Sequence, residues 1–380
     1  MKLAYLTLQA TQEGQAAHAH VHEIVQGLQR RGVDVTLFEP DYGGNSHPKP
    51  LRRLLQFARI QLRVLLRLRQ FDAIYVRSHF AALPLVVMAK LAGVATVQEI
   101  NGPWDELPVS YPQMSRLMAF VRFGMRVQFR FAKALIGVTP QLATWAAGET
   151  GNKVPSFVIP NGANTELFEP GAGGTVTVAS PYAIFFGALS AWQGVPTMLE
   201  AVNHRDWPED VKLVIVGDGS EAGRVRAAVG NRVVYLGKIP YGNMPAIIAG
   251  AMVSLSAQNN LHSRSDTGLS PLKVYESMAC GVPVIVSDFP GMADIVRETN
   301  TGLVIPCQDA GALARAVATL HHSPQLRQEM GARARQVAVE NHSWDKRAAD
   351  TLRVLEAVLA KGSSKSTLGT VPATDRPVTP

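Results

Sequence analysis

The sequence predicts an α/β protein built as two doubly wound parallel sheets, one following the other along the chain. Three observations carry that prediction. Short apolar runs alternate with longer amphipathic stretches, the pattern of strands joined by crossover helices. The alternation runs twice and is interrupted once, at Glu169-Pro170-Gly171-Ala172-Gly173-Gly174-Thr175, which is too rich in glycine and proline to continue either half. A length of 380 residues, at roughly 150 per domain, leaves room for two cores.

In the first half, strands are expected at 3–8, 33–38, 73–76, 95–100, 134–138 and 156–159. In the second they are expected at 182–186, 211–216, 233–236, 253–256, 282–287 and 302–305. The opening apolar run has only Lys2 before it, polar Gln9, Thr11, Gln12 and Glu13 after it and no small-residue cleavage site, so it reads as a buried strand rather than a signal segment. The boundaries that follow are a domain over 1–168, a linker over 169–181, a domain over 182–342 and an amphipathic helix over 343–360 returning toward the first domain. A Ser/Thr/Pro-rich tail over 361–380 has little to bury and is expected to be disordered. Two doubly wound domains facing each other would place a cleft at the carboxyl ends of both sheets, where such folds bind ligands.

Composition excludes several classes. Two cysteines, Cys280 and Cys307, supply neither a disulfide framework nor a four-thiolate metal site and suit a reducing compartment. No apolar run approaches the roughly 18 residues of a membrane span. The net charge of +7 is concentrated. Residues 49–71 hold seven cations and residues 114–133 five, with no acid in either, so the remaining 25 cations face 30 acids. Arginines interleaved with Leu, Phe and Met at helical spacing read either as a solvated helix face or as a patch drawn to anionic membrane lipid. No nucleic-acid motif accompanies the charge, so nucleic acid is not an expected partner.

The most informative stretch runs over 265–283. Ser270 suits a helix cap, Pro271 a first turn and Gly281 the helix end, with a strand after it. The amides at that helix start would form an anion site. Lys273 and Glu276, three apart, share a face, so a cation and a carboxylate project together, matching a diphosphate and a sugar hydroxyl. An ordinary capped helix with a solvated Lys and Glu is the plain alternative.

This segment resembles the C-terminal signature of family 4 glycosyltransferases, retaining enzymes of the GT-B fold. Further landmarks resemble the family in order: Gly32 after Arg30-Arg31, Asn161-Gly162-Ala163-Asn164, Phe186-Gly187 with Trp192-Gln193-Gly194-Val195, Val214-Ile215-Val216-Gly217-Asp218-Gly219 and Thr301-Gly302-Leu303-Val304, together covering nearly all of residues 1–345. The resemblance implies that Glu276 hydrogen-bonds the ribose of a nucleotide-diphosphate sugar. It also implies that Gly268, Leu269 and Ser270 contact the donor sugar and diphosphate through their amides, that Gly187 lets a loop approach the phosphates, and that Gly237, Lys238 and Ile239 lie by the base. The sequence departs from the family where the first glutamate of its pair falls at Gly268 and its diphosphate-binding Arg and Lys at Ala188 and Gln193; Lys273 of a variant "SP-K--E" helix would supply the missing cation.

In the first domain the resemblance places Gly14 and Gln15 at the acceptor or phosphate loop, with Gly14 serving a tight turn, and His20 at the family's histidine. His18 and His22 share a helix face, but no third metal ligand is evident. Asn101 takes the place of a histidine beside the reacting sugar. Glu99, two residues earlier, is either a base or acceptor-positioning group, or a strand-end carboxylate satisfied by an arginine such as Arg77. Gly217-Asp218-Gly219-Ser220-Glu221-Ala222 fits a dinucleotide fingerprint, but Gly237-Lys238 stands where that reading requires an acid. The expectation is thus a metal-independent hexosyltransferase with no cofactor beyond its nucleotide-sugar co-substrate. Its acceptor would be a glycolipid or oligosaccharide in cell-envelope or exopolysaccharide synthesis, and its place the cytoplasmic side, peripheral on the inner membrane face. A non-catalytic nucleotide-sugar or glycan binder and a nucleotide-sugar epimerase of the same fold are the alternatives.

Overall fold

The computed structural model describes residues 1–9, 11, 15–42, 49–173, 178–179, 181–260 and 264–360. Among them, twelve strands form two sheets. The first holds β1 (Lys2–Leu6), β2 (Asp34–Phe38), β3 (Ala73–Arg77), β4 (Ala95–Ile100), β5 (Ala134–Gly137) and β6 (Ser156–Val158), in the order β2-β1-β3-β4-β5-β6. The second holds β7 (Tyr182–Phe186), β8 (Lys212–Val216), β9 (Val233–Gly237), β10 (Val253–Ser256), β11 (Val284–Ser287) and β12 (Gly302–Ile305), in the order β12-β11-β10-β7-β8-β9. Every pairing is parallel. Parallel neighbours need crossovers, and the amphipathic stretches supply them as helices.

Helices on both faces explain why the central strands are apolar throughout rather than alternating. All five residues of β7 are buried. Phe185, Leu213, Ile215 and Leu255 pack with Trp207 and Leu313 in one core, and Ile184, Val214, Val216 and Val286 pack with Met278 and Phe289 in another. Each such side chain contributes about 1.5–3 kcal/mol on leaving water.

The element boundaries differ from the expected ones by one or two residues. The strand expected over 3–8 ends at Leu6 and is paired on both sides, by β2 and β3. The strand expected from 282 begins at Val284, after Pro283, which has no amide to donate to a ladder. β9 runs on through Gly237.

The chain clusters into two compact units, one of Met1–Ala10, Leu28–Ile159 and the described residues from Ala349, the other of Thr11–Gly27 and Pro160–Ala348. The first sheet lies in the first unit and the second sheet in the second. Residues 11–27, expected in the first domain, group with the second unit. The expected linker over 169–181 is described only in part and belongs to the second unit, and the tail over 361–380 lies outside the described residues. Each sheet reverses its strand order once, the first between β1 and β3, the second between β7 and β10. Crevices that hold ligands open at such reversals, beyond the carboxyl ends of the strands.

Candidate functional site

In the second unit the strand ends near the reversal are lined with glycine for steric reasons. Gly187 and Gly217 follow β7 and β8 with φ of 128° and 134°, and a Cβ on Gly217 would collide with the Gly187 carbonyl. Gly194, also left-handed, packs against the Ala257 carbonyl just beyond β10. This close packing brings the turn Ala191–Gln193 against the helix Leu272–Ala279.

That helix carries Lys273 and Glu276, which are 8% and 6% exposed, so the solvated-pair alternative does not hold. Lys273 Nζ donates to Gln193 Oε1 at 2.7 Å, lies 3.9 Å from the centre of the Phe185 ring and would sit 3.6 Å from a Cβ at Gly187. Burial pushes the ammonium down to about 7, against the attraction of Glu276. Glu276 Oε1 accepts from the Tyr241 hydroxyl at 3.1 Å. Burial pushes this carboxyl up to about 7, opposed by the Tyr241 hydrogen bond and by Lys273. A buried cation and a buried carboxylate thus stand at a strand-order reversal, both balanced near neutrality and both suited to an anionic, hydroxyl-bearing ligand.

Two expectations about this helix are corrected. Ser270 does not cap it; Pro271 holds the cap position, and Ser270 Oγ instead accepts from the Asn161 amide at 3.1 Å and meets the Tyr275 hydroxyl at 2.9 Å. The Leu269 amide is spent on the Pro290 carbonyl at 2.9 Å, so it is not available to a donor sugar. Gly268 is left-handed, with φ 72°, as a tight turn into the helix requires. Gly281, φ 70°, ends the helix as expected.

Gly237, the last residue of β9, is left-handed; beyond it Ile239 is half-buried, and Lys238 is exposed with its ammonium 3.7 Å from Asp218. Tyr241, two residues past Ile239, is a site residue that sequence reasoning missed, because its link to Glu276 spans 35 positions. Gln193, expected to mark a missing contact, is the residue that holds Lys273.

His20 is buried in the second unit, its Nδ1 2.8 Å from Asn161 Oδ1 and its ring edge-on to Trp344. Asn161 in turn donates to the Ser270 carbonyl at 2.5 Å, so a hydrogen-bonded chain joins His20, Asn161 and Ser270. The Gln15 carbonyl accepts from the His18 and Ala19 amides, the His18 and His22 rings lie tilted to each other with centres 4.0 Å apart, and Gly14 lies outside the described residues. No group of three His, Cys, Asp or Glu able to hold a metal occurs among the described residues.

In the first unit, Glu99 is 2% exposed on β4. It accepts from Tyr75 at 2.8 Å, Tyr5 at 3.3 Å and Asn101 Nδ2 at 2.6 Å, with the Arg77 guanidinium at 3.5 Å. Burial first, and Glu99 second, raise both tyrosines well above their usual range, so they remain donors. A carboxylate engaged by three hydrogen-bond donors and one ion pair is better suited to holding Asn101 and Arg77 in place than to taking a proton.

A family profile described as Glycosyl transferases group 1 matches residues 176–337, and one described as Glycosyltransferase Family 4 matches residues 17–167. A phosphatidyl-myo-inositol mannosyltransferase of Mycobacterium leprae is 28% identical over 218 residues, 54% of this chain and 54% of that protein. A GDP-mannose-dependent alpha-(1-6)-phosphatidylinositol monomannoside mannosyltransferase of Mycolicibacterium smegmatis is 25% identical over 299 residues, 72% of this chain and 74% of that protein. In the first of these matches the chain spans about half the relative's length. The sucrose-phosphate synthase of Thermosynechococcus elongatus shares the fold, with a TM-score of 0.75, 18% identity, and 95% of this chain and 99% of that one covered.

Proposed function

Since this chain belongs to the family 4 glycosyltransferases, we propose that it is a retaining hexosyltransferase, moving a sugar from a nucleoside-diphosphate sugar held by the second unit to a hydroxyl of a glycolipid or oligosaccharide. The observation that carries this reading is the buried Lys273, held between Gln193 and Phe185 beside the helix start. Its charge stands where the family's diphosphate cations are absent from the sequence, and a diphosphate arriving there would compensate the cost of burying it. Glu276, oriented by Tyr241, would accept from the ribose hydroxyls.

In the transfer, the bond from the sugar's anomeric carbon to the phosphate oxygen breaks, and the nucleoside diphosphate leaves with the electron pair. The acceptor oxygen bonds to that carbon on the same face, and its proton passes to the departing phosphate. No protein nucleophile or metal enters this scheme; Lys273 and the helix amides stabilise the charge of the leaving group. GDP-mannose is the first donor to test, since a relative's name carries it.

We further infer that the first unit rests on an anionic bilayer surface. The helices Pro50–Leu66 and Met118–Phe131 both pack on the helix Leu83–Leu91. They expose Leu54, Leu62, Leu66, Phe120 and Phe123 among Arg59, Arg63, Arg122 and Arg130, a pairing of apolar and cationic groups that matches headgroups and acyl boundary. No described helix is long and apolar enough to cross a membrane.

The test of the donor site is calorimetry and thermal shift with UDP, GDP, ADP, TDP and their sugars. One nucleotide is expected to stabilise the protein, with about 10–100-fold weaker binding in Glu276→Ala and Lys273→Ala. Absence of binding by every nucleotide, or binding unchanged in both variants, would overturn the reading.

A further inference from the structure

The first sheet's reversal point carries a feature that the donor site does not use. Beyond the ends of β1 and β3 opens a cavity of about 290 Å³, near the lower end of the ~300–1,000 Å³ typical of ligand pockets, room for one ring rather than an extended chain. Its polar wall includes Arg77, Ser78, Asn101 and Glu106, its aromatic wall Trp104 and Tyr111. Ser78 Oγ and Arg77 Nη1 are buried without hydrogen-bond partners among the described residues. Buried polar atoms of this kind are costly unless something satisfies them.

Charge narrows the ligand. Arg77 is compensated by Glu99 at 3.5 Å. Glu106, the other charged group in the lining, is a carboxylate, and Arg53, over the Tyr111 ring at 5.4 Å, is not among the lining residues. His79, also lining the cavity, is held down to about 4 by burial and secondarily by Arg53, so it is neutral at physiological pH. The cavity therefore offers donors and aromatic faces but no excess cation to hold a phosphate or carboxylate.

We propose that this cavity binds one uncharged polyhydroxylated ring, a hexopyranose or a cyclitol, with its C–H face on the aromatic wall and its hydroxyls on Ser78, Arg77 and Asn101. That the ring is the transferase's acceptor rests on the function proposed above; that the cavity binds it does not. The Glu99 network preorganises the site, since Glu99 fixes Asn101 directly and Arg77 by charge.

The experiment is saturation-transfer NMR on the full chain with methyl α-mannoside, methyl β-glucoside and myo-inositol, each beside a charged counterpart: mannose 6-phosphate, glucuronate and inositol phosphate. At least one neutral ring is expected to bind with a Kd on the order of millimolar, its charged counterpart about tenfold more weakly. Ser78→Ala and Asn101→Ala should each weaken the neutral ring about tenfold. Glu106→Arg should reverse the preference for uncharged rings. Octyl and methyl glycosides of the bound sugar separate a lipid-linked from a free ring, and binding of either supports the cavity assignment. Equal or tighter binding of the charged rings, indifference of neutral-ring binding to both alanine substitutions, or no ring binding at all overturns it. Nucleotide titration of the same protein separates the two readings: rings without nucleotide would sink the transferase and leave the cavity standing, and nucleotide without rings would do the reverse.

Discussion

At the scale of single residues, Lys273 and Glu276 are set in opposite directions toward the same pH. Burial holds Lys273 down to about 7 and Glu276 up to about 7. A diphosphate binds the protonated lysine, so above pH 7 binding must take up a proton and affinity declines as pH rises. A ribose hydroxyl donates to the ionised carboxylate, so below pH 7 affinity declines as pH drops. Nucleotide affinity is thus expected to peak near pH 7, with the alkaline limb absent in Lys273→Ala and the acid limb absent in Glu276→Gln, as calorimetry across pH 5–9 would read. The same shifts set stability in the unliganded protein. The contribution of Glu276, whose ordinary value is 4.5, is full below that value and lost by about 7. That of Lys273, ordinarily 10.5, is present above that value and lost as pH drops to about 7. The pair stabilises the empty fold least where it is poised to bind. A flat affinity profile in the unsubstituted protein would refute this account.

At the scale of elements, the site depends on how closely β7 and β8 approach. Gly187 donates to the Val216 carbonyl at 3.0 Å and Gly217 to the Gly237 carbonyl at 2.7 Å, and these bonds put the three strand ends in one layer. A side chain at Gly217 meets both a left-handed backbone and the Gly187 carbonyl. Gly217→Ala should cost about 2–4 kcal/mol by chemical denaturation, whereas Gly223→Ala, a helical position open to solvent, should be neutral or slightly stabilising. Equal effects of the two would show that the approach is not constrained. Strand positions were legible because parallel strands buried on both faces leave continuous apolar runs, as in β7 and β8. Their ends were less legible, since they depend on local hydrogen bonding such as the amide missing at Pro283.

At the scale of the whole molecule, the arginine-rich helices of the first unit give the membrane reading its test. Arg59→Glu with Arg63→Glu, and separately Phe120→Ser with Phe123→Ser, should each reduce co-sedimentation with phosphatidylglycerol vesicles about tenfold or more, and salt should release the unsubstituted protein. Undiminished binding of both variants would remove these helices from the interface. What the sequence by itself determined was the α/β class, the two six-strand series and the pairing of Lys273 with Glu276 on one helix, because period, capping chemistry and short-range spacing are local properties. Only the tertiary structure decided what surrounds those residues. It buried Lys273 and Glu276, brought Tyr241 to Glu276 and Gln193 to Lys273, and turned Ser270 from a cap into a partner of Asn161, the contacts spanning 35, 80 and 109 positions. It also surrounded Glu99 with Tyr5, Tyr75, Asn101 and Arg77, the setting of a carboxylate that positions its neighbours. Burial and long-range hydrogen bonding set charge and availability, and neither is encoded in any stretch of sequence short enough to read as a motif.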